Sequence, residues 1–192
     1  MVLWRPECIL ALHRLLTVNH DTLTDLTTQG YTANAMKDIQ KLALEAAREN
    51  SAAAAFLVMI VEVLHFWDDL IDKDVHIEDS RINNMFTNML VNLPTNPFFA
   101  AHTAQLAPVL LMAIQNWRVA TDVERGCSGG VPLEAAFAIR SNYVDLVTMV
   151  ATLCGGFDHG FEVAKKVRAL AHSEGYEQYI SNLAAESRAR EE

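Results

Sequence analysis

Cysteine, proline and glycine are scarce in this sequence, and their scarcity excludes several classes of protein. The 192 residues include 3 cysteines, 5 prolines and 8 glycines. The cysteines are odd in number, widely separated and without a C-x-x-C pair, so they predict reduced packing residues in a cytoplasmic protein. A chain with so few helix breakers and 51% hydrophobic residues is expected to bury a core, which excludes disordered and fibrous proteins.

Basic residues are also in short supply, which bears on what the protein binds. Lysine and arginine total 15 against 24 acidic residues, and the net charge is −9. Nucleic acid is therefore not an expected partner, because its binding needs basic patches that neutralise phosphates. A phosphate ligand held through a divalent metal is compatible with this charge, because acidic side chains are the ligands that such metals need.

Apolar runs long enough to cross a bilayer are not expected either. The run from Ala52 to Trp67 is too short and contains Glu62 and His65, so it predicts a buried core helix rather than a transmembrane span. Arg5 and Glu7 interrupt the apolar N-terminus, and no small-residue cleavage site follows it, so a signal peptide is not expected.

Helical periodicity recurs along the chain, whereas strand-like alternation bounded by turns is not found. The predicted helices run from Pro6 to about Val18, from Thr32 to Asn50, from Ser51 into a group of aspartates, from about Glu78 to Asn92, from Pro97 to about Arg125, from Pro132 to near Gly155, and over one or two segments of the tail. Ser51 and Asn96 are the predicted caps of their helices, Pro94 is a predicted stop, and Pro108 predicts a kink. The expected fold is a single all-α domain, residues 1–192, built as a helical bundle.

The segment EVLHFWDDLIDKD, residues 62–74, carries the chemistry that the sequence offers. At about 100° per residue, one sector of roughly 120° holds Glu62, His65 and the three aspartates Asp68, Asp69 and Asp72, and the rest of this helix is apolar. Like charges one turn apart near a helix C-terminus repel each other and oppose the helix dipole. A divalent cation would relieve this repulsion, and oxygen ligands without cysteine suit Mg²⁺. A solvated helix end is the alternative, and an exposed Asp68 would favour it.

DDLID also resembles the D-D-x-x-D motif of class I isoprenoid (terpenoid) synthases, and HFWDDLID is most similar to the squalene and phytoene synthase branch. MVATLCGG, residues 149–156, is similar to a V-A-x-x-x-G segment of that branch, with Val150, Ala151 and Gly155 matching. The resemblance implies an all-helical isoprenoid synthase fold in reduced form. It also implies that Mg²⁺ on the three aspartates holds a prenyl diphosphate, and that an enzyme of this kind would be a transferase or a lyase.

The resemblance further indicates residues for the ligand and for a second metal. The substrate-binding candidates are His65, which stands where the branch usually has arginine, and the basic residues Lys73, Arg81 and Arg140. A second metal motif is not evident. The tail offers Asn182, Glu186 and Glu191, and the first two, spaced i,i+4, are the candidates for it.

Other functions remain open on the sequence alone. One alternative is a non-catalytic helical interaction protein with a degenerate isoprenoid-synthase-like fold, for which a homodimer is one expected assembly. Another is a metal-dependent all-α nucleotide pyrophosphohydrolase, in which Glu45 and Glu49 would face the aspartates. A di-iron bundle built on Glu62-x-x-His65 lacks a second Glu-x-x-His. A second acidic face across a pocket from the aspartates would favour an enzyme.

Overall fold

The described part of the chain is helical. The computed structural model describes residues 41–72, 76–126, 130–172 and 175–191, with Asp72 and residues 185–191 described by their backbone alone. After a helical segment at residues 41–46, the helices are α1 (Ser51–Asp72), α2 (Asp79–Thr87), α3 (Pro97–Glu124), α4 (Leu133–Arg140), α5 (Tyr143–Gly155), α6 (Phe157–Ala171) and α7 (Tyr176–Glu191). No strand is present in these ranges, which confirms the all-α prediction. The predicted helix at Pro6 and the cap at Thr32 lie outside the described residues.

α1 forms the centre of the main core. Its first half is apolar on all sides, and Phe56 and Leu57 are fully buried among side chains of α3, α5 and α6. The Phe56 ring contacts Phe98 and Phe99 of α3, with ring centroids 6.1 and 5.4 Å apart. Burying one such side chain contributes about 1.5–3 kcal/mol, so these contacts fix the direction in which α1 delivers its polar end.

The start of α1 differs from the prediction in its cap. Asn50, rather than Ser51, caps the helix, because its side-chain oxygen accepts a hydrogen bond from the Ala53 amide at 3.1 Å. The two residues before it, Arg48 and Glu49, have positive φ angles of 45° and 62°. This left-handed turn ends the preceding helical segment and reverses the chain into α1.

α2 continues past its predicted end. It passes through a π-helical turn (Asn88–Asn92) into a last turn (Leu93–Thr95), so Pro94 lies inside the helix and the predicted stop at Asn92 is wrong. Pro94 has no N–H to donate, and its ring would crowd the Leu90 carbonyl in a regular α-helix. The wider π turn at this point lets the helix continue.

α3 begins as predicted and bends elsewhere than predicted. Asn96 caps it, accepting from the Phe99 amide at 3.0 Å and donating to the Ala52 carbonyl of α1 at 2.9 Å. The non-helical backbone in α3 is at His102, six residues before Pro108, where the His102 ring packs 4.8 Å from Phe98. The predicted kink at Pro108 is therefore misplaced.

The single helix predicted from Pro132 to Gly155 is broken into α4 and α5. At the break, Ser141 donates to the Ala138 carbonyl at 3.2 Å, and the Asn142 amide donates to the Ala113 carbonyl of α3 at 3.0 Å. Side chains of this type compete with the helical backbone for hydrogen bonds. The break leaves Arg140 as the last residue of α4, buried and facing the interior.

Candidate functional site

The polar stripe of α1 is divided between two neighbouring surfaces. Glu62 and Asp69 contact the helix that contains α2, whereas His65 and Asp68 face the interior between α3, α4 and α5. The predicted common sector of about 120° is thus wide enough to reach two different neighbours. Asp68 is only 4% exposed, so the solvated helix end is excluded for this residue.

On the α2 side, an arginine compensates the acidic residues. The Asp69 carboxylate forms an ion pair with Arg81 at 2.6 Å, and each side chain is 25% exposed. Asn88, in the π-helical turn, donates to Glu62 at 3.3 Å. Burial raises the pKa of Glu62, and the positive charge of Arg81 offsets part of this rise. Arg81 also lies 6.0 Å from the Phe66 ring, which holds the guanidinium over the end of α1.

On the inner side, Asp68 lies near a buried guanidinium that comes from another helix. Arg140 is 8% exposed, and its Nε and Nη2 both donate to the Glu124 carboxylate of α3, Nε at 2.5 Å. Glu124 also accepts from the Tyr179 hydroxyl of α7 at 2.6 Å. Burial acts to lower the pKa of Arg140, but Glu124 and Asp68 more than offset it, and the pKa is raised. Arg140 thus carries its positive charge in the interior.

One donor of this guanidinium is not used. Nη1 of Arg140 is buried and makes no hydrogen bond to the described residues. A buried N–H group without an acceptor costs about 1–3 kcal/mol, and more when the group is charged. Arg140 also lies 5.7 Å from the Trp117 ring. The planar guanidinium of Arg140 therefore binds Glu124 through Nε and Nη2, and its Nη1 is available to donate to an anion.

A small cavity lies beside His65 on the inner side. It is lined by the side chains of Leu64, His65, Trp67, Ala113, Trp117, Asn142 and Tyr143. The space open to water in this cavity is about 10 Å³, enough for roughly one water molecule. The Trp67 and Trp117 rings lie 4.3 Å apart and close it. A prenyl chain would have to separate these two rings to enter.

The three aspartates predicted to bind a metal do not all point in the same direction. Asp68 and Asp69 point to different neighbours, and Asp72 lies in the last turn of α1, one turn beyond Asp68, with its side chain outside the description. Among the side chains that the structure describes, no group of three or more His, Cys, Asp or Glu is arranged to hold a metal ion. Lys73, one of the predicted substrate ligands, lies outside the described residues.

The predicted second metal site lies on α7, where the structure describes one of its two side chains. Asn182 of α7 is buried, and its side-chain oxygen accepts from Gln178 at 2.9 Å. The Glu186 side chain is outside the description. Val150 and Ala151 of the V-A-x-x-x-G segment are fully buried packing residues. Gly155 packs against His159 and Arg48, near the start of α1 and not near its acidic end.

The pyrophosphohydrolase and di-iron alternatives depend on acidic residues that would have to face one another. Glu45 forms an ion pair with Lys166 of α6. It lies near the start of α1, and Asp69 is about 27 Å further along that helix at a rise of 1.5 Å per residue, so Glu45 cannot face it. Glu62 and His65 turn to different neighbours, which does not suit a shared di-iron site.

Sequence reasoning did not find Glu124 and Tyr179. The sequence pattern placed Glu124 near the end of the helix that is now α3, and it placed Tyr179 in a C-terminal segment predicted to be helical without further detail. The available signal was a carboxylate at the C-terminal end of an apolar helix, where the helix dipole disfavours an anion. Its buried partners come from residues 16 and 55 positions further along the chain, and sequence spacing does not reveal such contacts.

Comparison with known protein families, with curated proteins and with solved structures gives no match for this chain. The function must therefore be inferred from the residues and their geometry.

Proposed function

We propose that the acidic end of α1 binds a diphosphate through Mg²⁺, and that the natural ligand is a prenyl diphosphate. The observation that carries the proposal is the unused Nη1 donor of the buried Arg140, whose guanidinium lies within electrostatic range of the buried carboxylate of Asp68. A guanidinium fork matches phosphate oxygens, and a neighbouring carboxylate supplies the hard oxygen that Mg²⁺ prefers. On the α2 side, Asp69 likewise has an arginine close by, in its ion pair with Arg81.

The residues would take distinct roles toward this ligand. Asp68 and Asp72, one helical turn apart, would hold the metal, and Asp69 would join them by exchanging its ion pair with Arg81 for the metal. Arg140, Arg81 and Lys73 would contact the diphosphate oxygens, and His65 would lie beside it. Bound Mg²⁺ would neutralise the diphosphate and favour it as a leaving group.

The apolar part of the ligand would enter beside the aspartates. Leu64, Trp67 and Trp117 line the cavity there, and aromatic faces are suitable neighbours for an isoprenoid chain. Since about 10 Å³ is open, binding requires Trp67 and Trp117 to move apart. If catalysis follows binding, the reaction class is that of a transferase or a lyase acting on the allylic diphosphate.

Tryptophan fluorescence provides a direct test, because two of the three tryptophans close the cavity. Farnesyl diphosphate is titrated into the Trp4→Phe protein with and without Mg²⁺, so that only Trp67 and Trp117 report. The proposal predicts a saturable change that requires Mg²⁺ and is lost in Asp68→Asn. Asp158→Asn, an exposed carboxylate at the start of α6, is the matched control and should bind normally. Equal binding by Asp68→Asn would refute the assignment.

A second candidate function, a non-catalytic interaction protein, has its own support in α3. Among the described residues, α3 is long and apolar enough to cross a membrane by length and composition, yet only 17% of its most apolar 18-residue window is buried. Core helices share such length and composition, so these are weak grounds for a span. The exposed stripe includes Leu111, Met112 and Val119, which are 56%, 56% and 43% exposed.

A second copy of the chain is the partner that best fits this stripe. Ala101, Ala104, Pro108, Leu111, Gln115 and Val119 follow at steps of three and four residues, the spacing that packs one helix against another. The stripe is uncharged in an otherwise acidic chain, so two copies can meet there without opposing like charges. Sedimentation equilibrium should then show a dimer that Leu111→Glu dissociates. Leu90→Glu, at a side chain that is 71% exposed on the π-helical turn, is the control and should leave the dimer intact.

A further inference from the structure

Arg140 is held in place from outside the main core. Glu124 is the last residue of α3, Arg140 the last of α4, and Tyr179 lies in the first turn of α7. The Glu124 carboxylate joins the other two, accepting from two nitrogens of Arg140 and from the Tyr179 hydroxyl at 2.6 Å. Three helix ends thus meet at the Glu124 carboxylate. The guanidinium bound to this carboxylate, that of Arg140, is the one on which the proposed function depends.

The orientation of Arg140 follows from this contact. A guanidinium is planar, so fixing Nε and Nη2 against one carboxylate also fixes where Nη1 lies. The Glu124 side chain is 1% exposed, and a carboxylate so buried needs all its hydrogen bonds. Burial and the hydrogen bond to Glu124 both raise the pKa of Tyr179, so its hydroxyl stays protonated and donates to the carboxylate.

α7 rests on a small cluster of its own. Tyr179 and Leu183 are buried there against Leu133, Phe137, Tyr176 and Ile180, and none of these residues belongs to the main core around α1. The Phe137 ring of α4 lies 5.1 Å from Tyr179 and 5.6 Å from Tyr176. Because this cluster is separate, α7 can loosen locally while the main core stays folded.

We infer that Glu124 and Tyr179 are positioning residues for anion binding, and that the seating of α7 controls the affinity of the site at the end of α1. This inference rests on the proposed function. Tyr179 holds Glu124, Glu124 holds Arg140, and Arg140 presents Nη1 to the diphosphate. By linkage, a bound diphosphate must in turn stabilise the seated position of α7.

The test compares two tyrosines of the same helix. Tyr179→Phe removes the hydroxyl that bonds Glu124, whereas Tyr176→Phe removes a hydroxyl from the same cluster without touching Glu124. Calorimetric titration with Mg²⁺ and inorganic pyrophosphate should show binding about tenfold weaker in Tyr179→Phe, because hydrogen bonds to charged groups are worth about one factor of ten or more. Tyr176→Phe should bind like the wild type.

Hydrogen exchange supplies a readout that a merely structural role would not move. Pyrophosphate with Mg²⁺ should slow amide exchange in α7 of the wild-type protein and of Tyr176→Phe, but much less in Tyr179→Phe. Should Tyr179→Phe fail to fold, Glu124→Gln replaces it, with the same weakening of binding expected. If the wild type binds pyrophosphate and Tyr179→Phe binds equally well without loss of the exchange effect, this inference is wrong and the proposed function stands. If the wild type does not bind, both are wrong.

Discussion

Replacing Arg140 should expose how much the buried charge cluster depends on one guanidinium. In Arg140→Met the Glu124 carboxylate, whose side chain is 1% exposed, loses its counter-charge and two hydrogen bonds. Removing one partner of a buried ion pair typically costs about 3–5 kcal/mol. That is a large share of the roughly 5–15 kcal/mol that stabilises a protein domain. In a chain of this size it corresponds to a fall in melting temperature of about 6–20 °C.

The double variant makes the reasoning testable. Glu124→Gln removes the carboxylate charge, so Arg140→Met combined with Glu124→Gln leaves no uncompensated charge at this contact. The double variant should therefore be more stable than Arg140→Met alone by about 2 kcal/mol or more. Because Glu124→Gln alone is also destabilising, the coupling energy of the pair should exceed about 2 kcal/mol. Urea unfolding of the wild type, both single variants and the double variant closes the cycle. Strict additivity of the two single losses would refute the claim that Arg140 and Glu124 act as a buried pair.

Three further predictions concern pH, a helix cap and helix packing. Burial raises the pKa of Glu62 above its ordinary value near 4.5, so the contribution of Glu62 to stability is lost as pH rises through the raised pKa. The melting temperature of Glu62→Gln should therefore rise relative to that of the wild type as the pH is raised above 4.5. A difference in melting temperature that does not change with pH would contradict this. Asn96→Ala should lower the free energy of unfolding, measured in urea, by about 1–3 kcal/mol, since it removes a cap and a buried hydrogen bond to α1. Asn92→Ala, at an exposed side chain, should change the free energy of unfolding by less than about 0.5 kcal/mol. Equal losses in the two variants would argue against the cap. Gly160→Ala should lower the free energy of unfolding by about 1–3 kcal/mol, because its new Cβ would lie within 3 Å of the Thr152 hydroxyl. The new Cβ of Gly175→Ala meets open space, so this variant should be as stable as the wild type. If Gly160→Ala were also as stable as the wild type, α5 and α6 would have to pack less closely than these contacts require.

The features that sequence predicted best depend on local signals. Apolar residues on every side of the first half of α1 predicted a buried helix, and the structure buries it. The aspartates at its end and the Asn96 cap followed from spacing and residue type, and both are found at the predicted positions. Such features need only the residues within one or two helical turns.

The features that sequence reasoning missed depend on distant partners. The break at Ser141 and Asn142 requires the Ala113 carbonyl of α3, which lies 29 residues away from Asn142 in sequence. The division of the acidic stripe requires knowing that α2 lies against Glu62 and Asp69 while α4 brings Arg140 toward Asp68. Neither the compensating arginines nor Tyr179 could be assigned to these acids from periodicity alone.

Joint binding of metal and diphosphate tests the central claim most directly. The melting temperature of the wild-type protein is measured with Mg²⁺ alone, with pyrophosphate alone and with both, beside Asp72→Asn. A ligand that binds the folded state raises the melting temperature by mass action. The proposed site predicts a shift with both together that exceeds the sum of the separate shifts and disappears in Asp72→Asn. No joint shift, or a joint shift that Asp72→Asn retains, would contradict it.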